Sequence, residues 1–305
     1  MVTRRREDLL PSLGVAIAGA AWGLFWLPMR GFNEAGLQPA WTAIAIYVTA
    51  IVIFLPAVVI RWQRFVEGGF SMLITGMLTG SAFSLYATAL VLTEVVRALL
   101  LFYLTPIWGT LLGCLLLGEK ITKWRGVALA MGVAGLLVIL GYEHGFPWPQ
   151  NIGDWLALMS GVTWAYGSVR IYGTQGTGFV ESTFAYFVGA VVAAVALLPI
   201  ESVGSVPEAA TLKVVMPWLL LMTAVLVVPS MLIVFWGTAR LSPGRVGLLL
   251  MADAVVGIAS AALLTEEPFG ARELIGTILI VGAALIEVLQ QRSTAVIGVD
   301  SPAEP

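Results

Sequence analysis

The acidic side chain best placed to do chemistry is Asp253, about eleven residues into the apolar stretch 243–264. A charge held at the middle of a membrane span costs about 2.5–3.5 kcal/mol on insertion scales, so such a group faces a cavity or a partner. Asp253 is read either as a proton-coupling group or counter-ion for a cationic solute, or as a carboxyl bonded across helices to a serine or threonine. The other aspartates, Asp8, Asp154 and Asp300, fall in the tails or at a span edge.

Arg97 is the matching cation. It shares a helical stripe with Leu101, Thr105 and Trp108, and Glu94 lies three residues earlier on the same face. It can clamp a substrate carboxylate through its forked donors; alternatively it pairs with Glu94 or snorkels to headgroups. Arg30 carries the same ambiguity. A third group is aromatic: Trp22 and Trp26 on one face of a first helix, then Phe83, Tyr86, Tyr103, Trp108, Trp164 and Tyr166. Together they offer a wall for an aromatic ring or a quaternary ammonium, although tryptophan and tyrosine also anchor membrane interfaces. Glu119 stands in a basic turn with Lys120, Lys123 and Arg125, where a capping or pairing role is expected.

The rest of the inventory narrows the function class. One histidine, His144, and one cysteine, Cys114, leave no metal cluster and no intrachain disulfide. No cofactor motif and no G-x4-G-K-[ST] loop occur, so transport would draw on an ion or solute gradient. Nothing resembles a basic stripe for nucleic acid. Intramembrane catalysis would need a nucleophile with its base, paired aspartates or metal ligands; the spans hold none, and the chain is read as a non-enzyme. A channel or receptor is the non-transport alternative, but a filter-like loop or charge ring is not evident.

Helices must position these residues. Of 305 residues 59% are hydrophobic and 11% charged, with mean hydropathy +0.95; a soluble domain carries roughly a quarter charged residues. A span takes about 20 apolar residues, and such runs are expected at 13–30, 40–60, 70–92, 95–117, 124–142, 153–171, 180–199, 214–238, 243–264 and 273–290. The third and fourth are almost fused near Thr93 and Glu94. The run following Arg4, Arg5 and Arg6 reads as a retained span, not a cleaved leader. With the N-terminus inside, only Arg30, Arg97, Lys213 and Arg272 of the 16 basic residues fall in the outer half. That bias puts both termini in the cytoplasm. Pro28, Pro106 and Pro229 lie inside spans and invite kinks.

The two halves echo each other at offsets of 142–150 residues. Arg97 aligns with Arg245, Glu119 with Glu266 or Glu267, Gly126 and Gly132 with Gly276 and Gly282, and Trp22 with Trp164. Five spans per half turn the second half upside down, and inverted repeats with a site between them mark secondary transporters. The Gly118–Thr122 segment GEKIT, between an apolar span and a Gly-x5-Gly span, resembles the EamA module of the drug/metabolite transporter superfamily; Thr265–Gly270 is a looser second copy. The resemblance implies an all-α integral membrane fold of ten helices, a cavity lined by the first, third, fourth, sixth, eighth and ninth, and a bacterial inner (cytoplasmic) membrane. The expected organisation is a tail at 1–12, repeats at 13–142 and 153–290, a periplasmic linker at 143–152 and a tail at 291–305. The expected function is secondary export of an amino acid or related amphiphile by a monomer in the lipid bilayer, with import of a cationic or quaternary-amine solute as the alternative.

Overall fold

Within hydrocarbon a single segment satisfies its backbone only by coiling into a helix. The computed structural model of the chain describes residues 2–140, 148–173, 178–200, 206–264 and 270–297, and among them no strand occurs. His144, residues 143–147 of the expected linker and residues 265–269 of the second motif lie outside the described residues.

The first half contains α1 (Val2–Trp22), α2 (Trp26–Glu34), α3 (Pro39–Ile60), α4 (Trp62–Leu92), α5 (Val95–Phe102), α6 (Thr105–Leu117) and α7 (Lys123–Leu140). The second contains α8 (Ile152–Gly173), α9 (Phe179–Leu197), α10 (Ala209–Met222), a π-helical turn (Thr223–Val227), α11 (Val228–Thr238), α12 (Pro243–Leu250), α13 (Ala252–Leu264) and α14 (Ala271–Ile297). Among the described residues seven stretches are long and apolar enough to cross a membrane: Leu9–Glu34, Pro39–Ile60, Trp62–Leu92, Arg97–Leu117, Phe179–Leu197, Ala209–Thr238 and Pro243–Leu264. Helices α7, α8 and α14 lie where spans were expected but fall outside that set. In α8 the apolar residues are diluted by Asp154, Ser160, Thr163 and Ser168.

Each proline expected to kink a span follows an interruption. Pro28 comes after the turn at residues 23–25, Pro106 after Tyr103 and Leu104, and Pro229 after the π-helical turn. Proline lacks the N–H that its preceding turn would bond, and its ring crowds the carbonyl four residues back, so the chain yields there. A further interruption, at Met251 between α12 and α13, has no proline. Thr93 and Glu94 are extended and divide α4 from α5. Gly118 ends α6 at φ +67°, a left-handed cap that favours glycine, and the N–H of the following Glu119 bonds back to the Gly113 carbonyl.

Helix α4 packs along α8 and α9, α7 along α14, α6 against α8 and α12, and α1 against α11, α12 and α13. The largest apolar cluster contains Trp164, Tyr186, Phe187, Met231 and Phe235. Between α4 and α9 the contact is backbone on backbone: a β-carbon at Gly76 would meet the Ala185 carbonyl, one at Gly80 would meet Tyr186 O and Ala190 N, and one at Gly189 would meet the Gly76 carbonyl. Ser84 Oγ crosses the same seam to donate to Ala190 O at 2.8 Å. At the end of the molecule near Arg61, Arg61 Nε meets Glu181 Oε1 at 2.7 Å, and Arg170 donates to Thr75 Oγ1 at 3.1 Å and Ser71 Oγ at 3.0 Å. Outward, Val59, Ile60, Phe70, Leu115 and Leu263 are all at least three-quarters exposed. So large an apolar surface suits lipid rather than water. The chain is a multi-pass membrane protein.

Candidate functional site

A cavity of about 550 Å³ opens among the helices, within the range usual for small-molecule sites. The bends and breaks in the helices build much of it. The turn after α1 contributes Trp22, Phe25 and Trp26; Tyr103 caps α5 where that helix stops; Asp253 lies in the first turn of α13, just past Met251. Helix α3 supplies Pro39, Ala43 and Tyr47, and α4 supplies Phe83, Tyr86, Thr88 and Val91. Trp164, Met231, Val234 and Leu250 complete the apolar wall.

The wall is a run of touching rings. Trp22 stands 4.8 Å from Phe25 and 5.2 Å from Phe83, which leads at 6.3 Å to Trp164. Tyr86 and Phe102 lie 4.5 Å apart, and Phe102 leads at 5.4 Å to Tyr103. Ring pairs favour such offset or edge-on arrangements over a face-to-face sandwich, so the wall packs against itself as well as facing the cavity.

Asp253 is held inside this ring. Tyr103 Oη donates to its Oδ1 at 2.7 Å, and the Ala254 N–H donates to the same oxygen at 2.6 Å. Its partner is thus a phenol rather than the serine or threonine weighed from the sequence. Trp26 Nε1 donates to Ser260 Oγ at 3.0 Å, tying the turn after α1 to α13.

Of the nine candidates, Trp22, Trp26, Tyr86, Tyr103, Trp164 and Asp253 line one cavity. Arg97, Trp108 and Tyr166 do not. Arg97 reaches past Glu94 to the first turn of α8, where Nη2 meets Asp154 Oδ2 at 2.6 Å and also donates to Trp148 O at 2.8 Å. Asp154 is fully buried and accepts from Thr93 Oγ1 at 2.6 Å and the Gln150 N–H at 2.9 Å. The pair fastens α5 to α8 rather than facing the cavity. Trp108 Nε1 is buried with no hydrogen-bond partner among the described residues, and Tyr166 is 37% exposed on the outer face of α8. Arg30 pairs with Glu34 at 3.1 Å in an exposed turn. Glu119 accepts from Arg125 at 3.0 Å, and Arg125 also bonds Ser242, so the motif glutamate links α6 to the α7 and α12 starts.

Sequence reasoning missed Phe25, Tyr47 and Phe102. Tyr47 lies on the second expected span, which the family resemblance left out of the lining; the aromatic runs flanking Phe25 and Phe102 were the available signal. Among the described residues no group of histidine, cysteine and acidic side chains is arranged to hold a metal ion.

Comparison with known proteins agrees with this architecture. The EamA-like transporter family matches residues 9–141 and again 151–289. A crystal structure of a protein superimposes with a TM-score of 0.70 at 20% identity, covering 92% of this chain and 98% of that one, which is a likeness of fold. No curated protein sequence matches the chain. Two family matches that between them span nearly the whole sequence settle the kinship: the chain belongs to the EamA-like transporter family, within the drug/metabolite transporter superfamily.

Proposed function

We propose that the chain is a secondary active transporter that moves a small amphiphilic metabolite, an amino acid or a related compound, out of the cell by alternating access. The cavity carries this reading: it lies between the halves, is walled by aromatic rings, and is supplied at two helix interruptions by Tyr103 and Asp253. Interrupted helices that deliver polar groups to a midplane site are a transporter device.

Ten spans in two inverted repeats are part of the proposal. Exchanging the halves turns the α4–α8 contact into α11–α1, and α5 and α6 on α8 into α12 and α13 on α1, and all of these contacts occur. Helices α3 and α9, and α7 and α14, pack against their own counterparts. Even a local detail repeats, since Arg97 bonds Asp154 and Arg245 bonds Ser12 at 2.7 Å, at offsets of 148 and 142 residues. The two repeats would lie at 13–142 and 153–290, joined by a periplasmic linker, in a monomer of a bacterial inner membrane with both termini cytoplasmic.

The test is efflux from cells or proteoliposomes preloaded with a metabolite panel. Export that saturates and is accelerated by solute on the opposite side supports the reading. Flux that rises linearly with concentration and ignores the opposite side would identify a channel instead.

A further inference from the structure

Charge accounting inside the cavity points to a narrower ligand class. Among its lining residues Asp253 is the one acidic or basic side chain. Four of the lining donors are committed, Tyr103 to Asp253, Trp26 to Ser260, Ser84 to Ala190 O and Thr105 to Phe102 O. Trp22 Nε1 is buried with no partner among the described residues, a neutral donor that brings no positive charge into the cavity. Arg97, the cation that could have received a carboxylate, is engaged outside the cavity by Asp154. An incoming carboxylate would therefore meet a like charge with no cation beside it, an arrangement that disfavours ionisation of both. An incoming ammonium meets the opposite situation. Oδ1 of Asp253 is already taken by Tyr103 and Ala254, while no other residue among those described donates to Oδ2. The faces of Trp22, Tyr86 and Tyr103 add attraction for a cation and apolar surface for its body.

We propose that the cavity binds an organic amine that carries one positive charge, an aromatic or apolar body and no carboxylate, with its ammonium at Asp253 Oδ2 and its body against the Trp22–Phe83 wall. Among the amphiphiles considered above this selects the decarboxylated, amidated or esterified relatives of amino acids over the free zwitterions. The inference rests on the transport reading for the statement that the amine is carried, and it holds for either direction of movement.

Four ligands of one body size separate the possibilities: phenethylamine, phenylalaninamide, phenylalanine and 3-phenylpropionate, titrated by calorimetry into the full-length protein in detergent. The expected result is binding of the two amines at least about tenfold tighter than phenylalanine, and no binding of 3-phenylpropionate. In Asp253→Asn the amines lose at least about tenfold in affinity. Equal or tighter binding of phenylalanine or 3-phenylpropionate, or no binding of either amine, overturns the class; that comparison needs the unmodified protein alone, so poor folding of the variant does not blunt it. Amine binding unchanged in a folded Asp253→Asn overturns the role of Asp253. Flux in proteoliposomes then distinguishes the two levels. Phenethylamine bound but not moved leaves the class standing and removes the transport reading, whereas phenylalanine moved and phenethylamine not moved does the reverse.

Discussion

The Tyr103 hydroxyl and the Asp253 carboxylate meet at 2.7 Å across 150 residues of sequence, each at an interruption in its helix. Tyr103 ends α5 and Asp253 opens α13, so the bond joins two places where the helical ladder has been given up. The phenol and the Ala254 N–H fix Oδ1 and thereby aim the other oxygen. Tyr103→Phe keeps the ring and removes only that donor. Hydrogen bonds to charged groups contribute about 1.5–3 kcal/mol to stability, so the melting temperature is expected to fall modestly, and the substrate KM to rise as Oδ2 loses its aim. A large fall in melting temperature with an unchanged KM would make the bond purely structural.

The Arg97–Asp154 pair behaves differently, because both side chains are at least nine-tenths buried. Removing one partner strands the other charge, at a cost of about 3–5 kcal/mol. Asp154→Ala is expected to lower the melting temperature sharply, and Arg97→Met combined with Asp154→Leu to recover much of the loss. A double variant as unstable as the sum of its singles would show that the pair is not coupled.

The seam between α4 and α9 tolerates no added volume. At Gly80 a β-carbon meets Tyr186 O and Ala190 N, whereas at Gly126 it meets nothing within 4 Å. Gly80→Val is expected to cost about 1–3 kcal/mol through overpacking and to abolish flux; Gly126→Ala is expected to leave both thermal stability and flux as they were. Comparable behaviour of the two variants would argue against close packing at the seam.

Glu119 has no contact with the cavity, and its partner is Arg125. Glu119→Gln weakens that bond and is expected to reduce stability by about 1 kcal/mol while leaving KM within about twofold. Tyr47→Ala and Tyr166→Phe form a companion pair read by the same assay: the first strips a ring from the cavity wall and raises KM, and the second changes an exposed side chain and does not.

Local features were legible in the sequence and pairings were not. Apolar runs marked the helices, and Pro28, Pro106 and Pro229 marked three interruptions because a missing N–H acts within one turn. The interruption at Met251 left no such trace, since no proline stands there. Asp253 stood out because a carboxyl in an apolar run is costly wherever it points. Its partner Tyr103 could not be read, since no local rule connects residues 150 positions apart. For the same reason Arg97 suggested Glu94, its helical neighbour, where folding supplied Asp154 from another helix. Tyr166 and Trp164 are two residues apart and differ only in which side of α8 they occupy: Trp164 is 3% exposed against the core, and Tyr166 faces outward.

The glycine seam has a mechanical consequence. A closure made by bulky side chains opens only when they find new rotamers, each with its own barrier and entropy. Where Gly76 and Gly80 lie on Gly189, main chain rests on main chain, with no side chain to move aside. Two such surfaces part and rejoin as rigid rods do, by sliding or tilting, with their own hydrogen bonds intact throughout. What resists separation is then mainly the contact area and the few tethers across or beside it, chiefly Ser84 to Ala190 and Arg61 to Glu181. Toward either side of the glycines the ring pairs Phe65–Phe184 and Phe83–Tyr186 add the side-chain contacts that sliding would have to re-form.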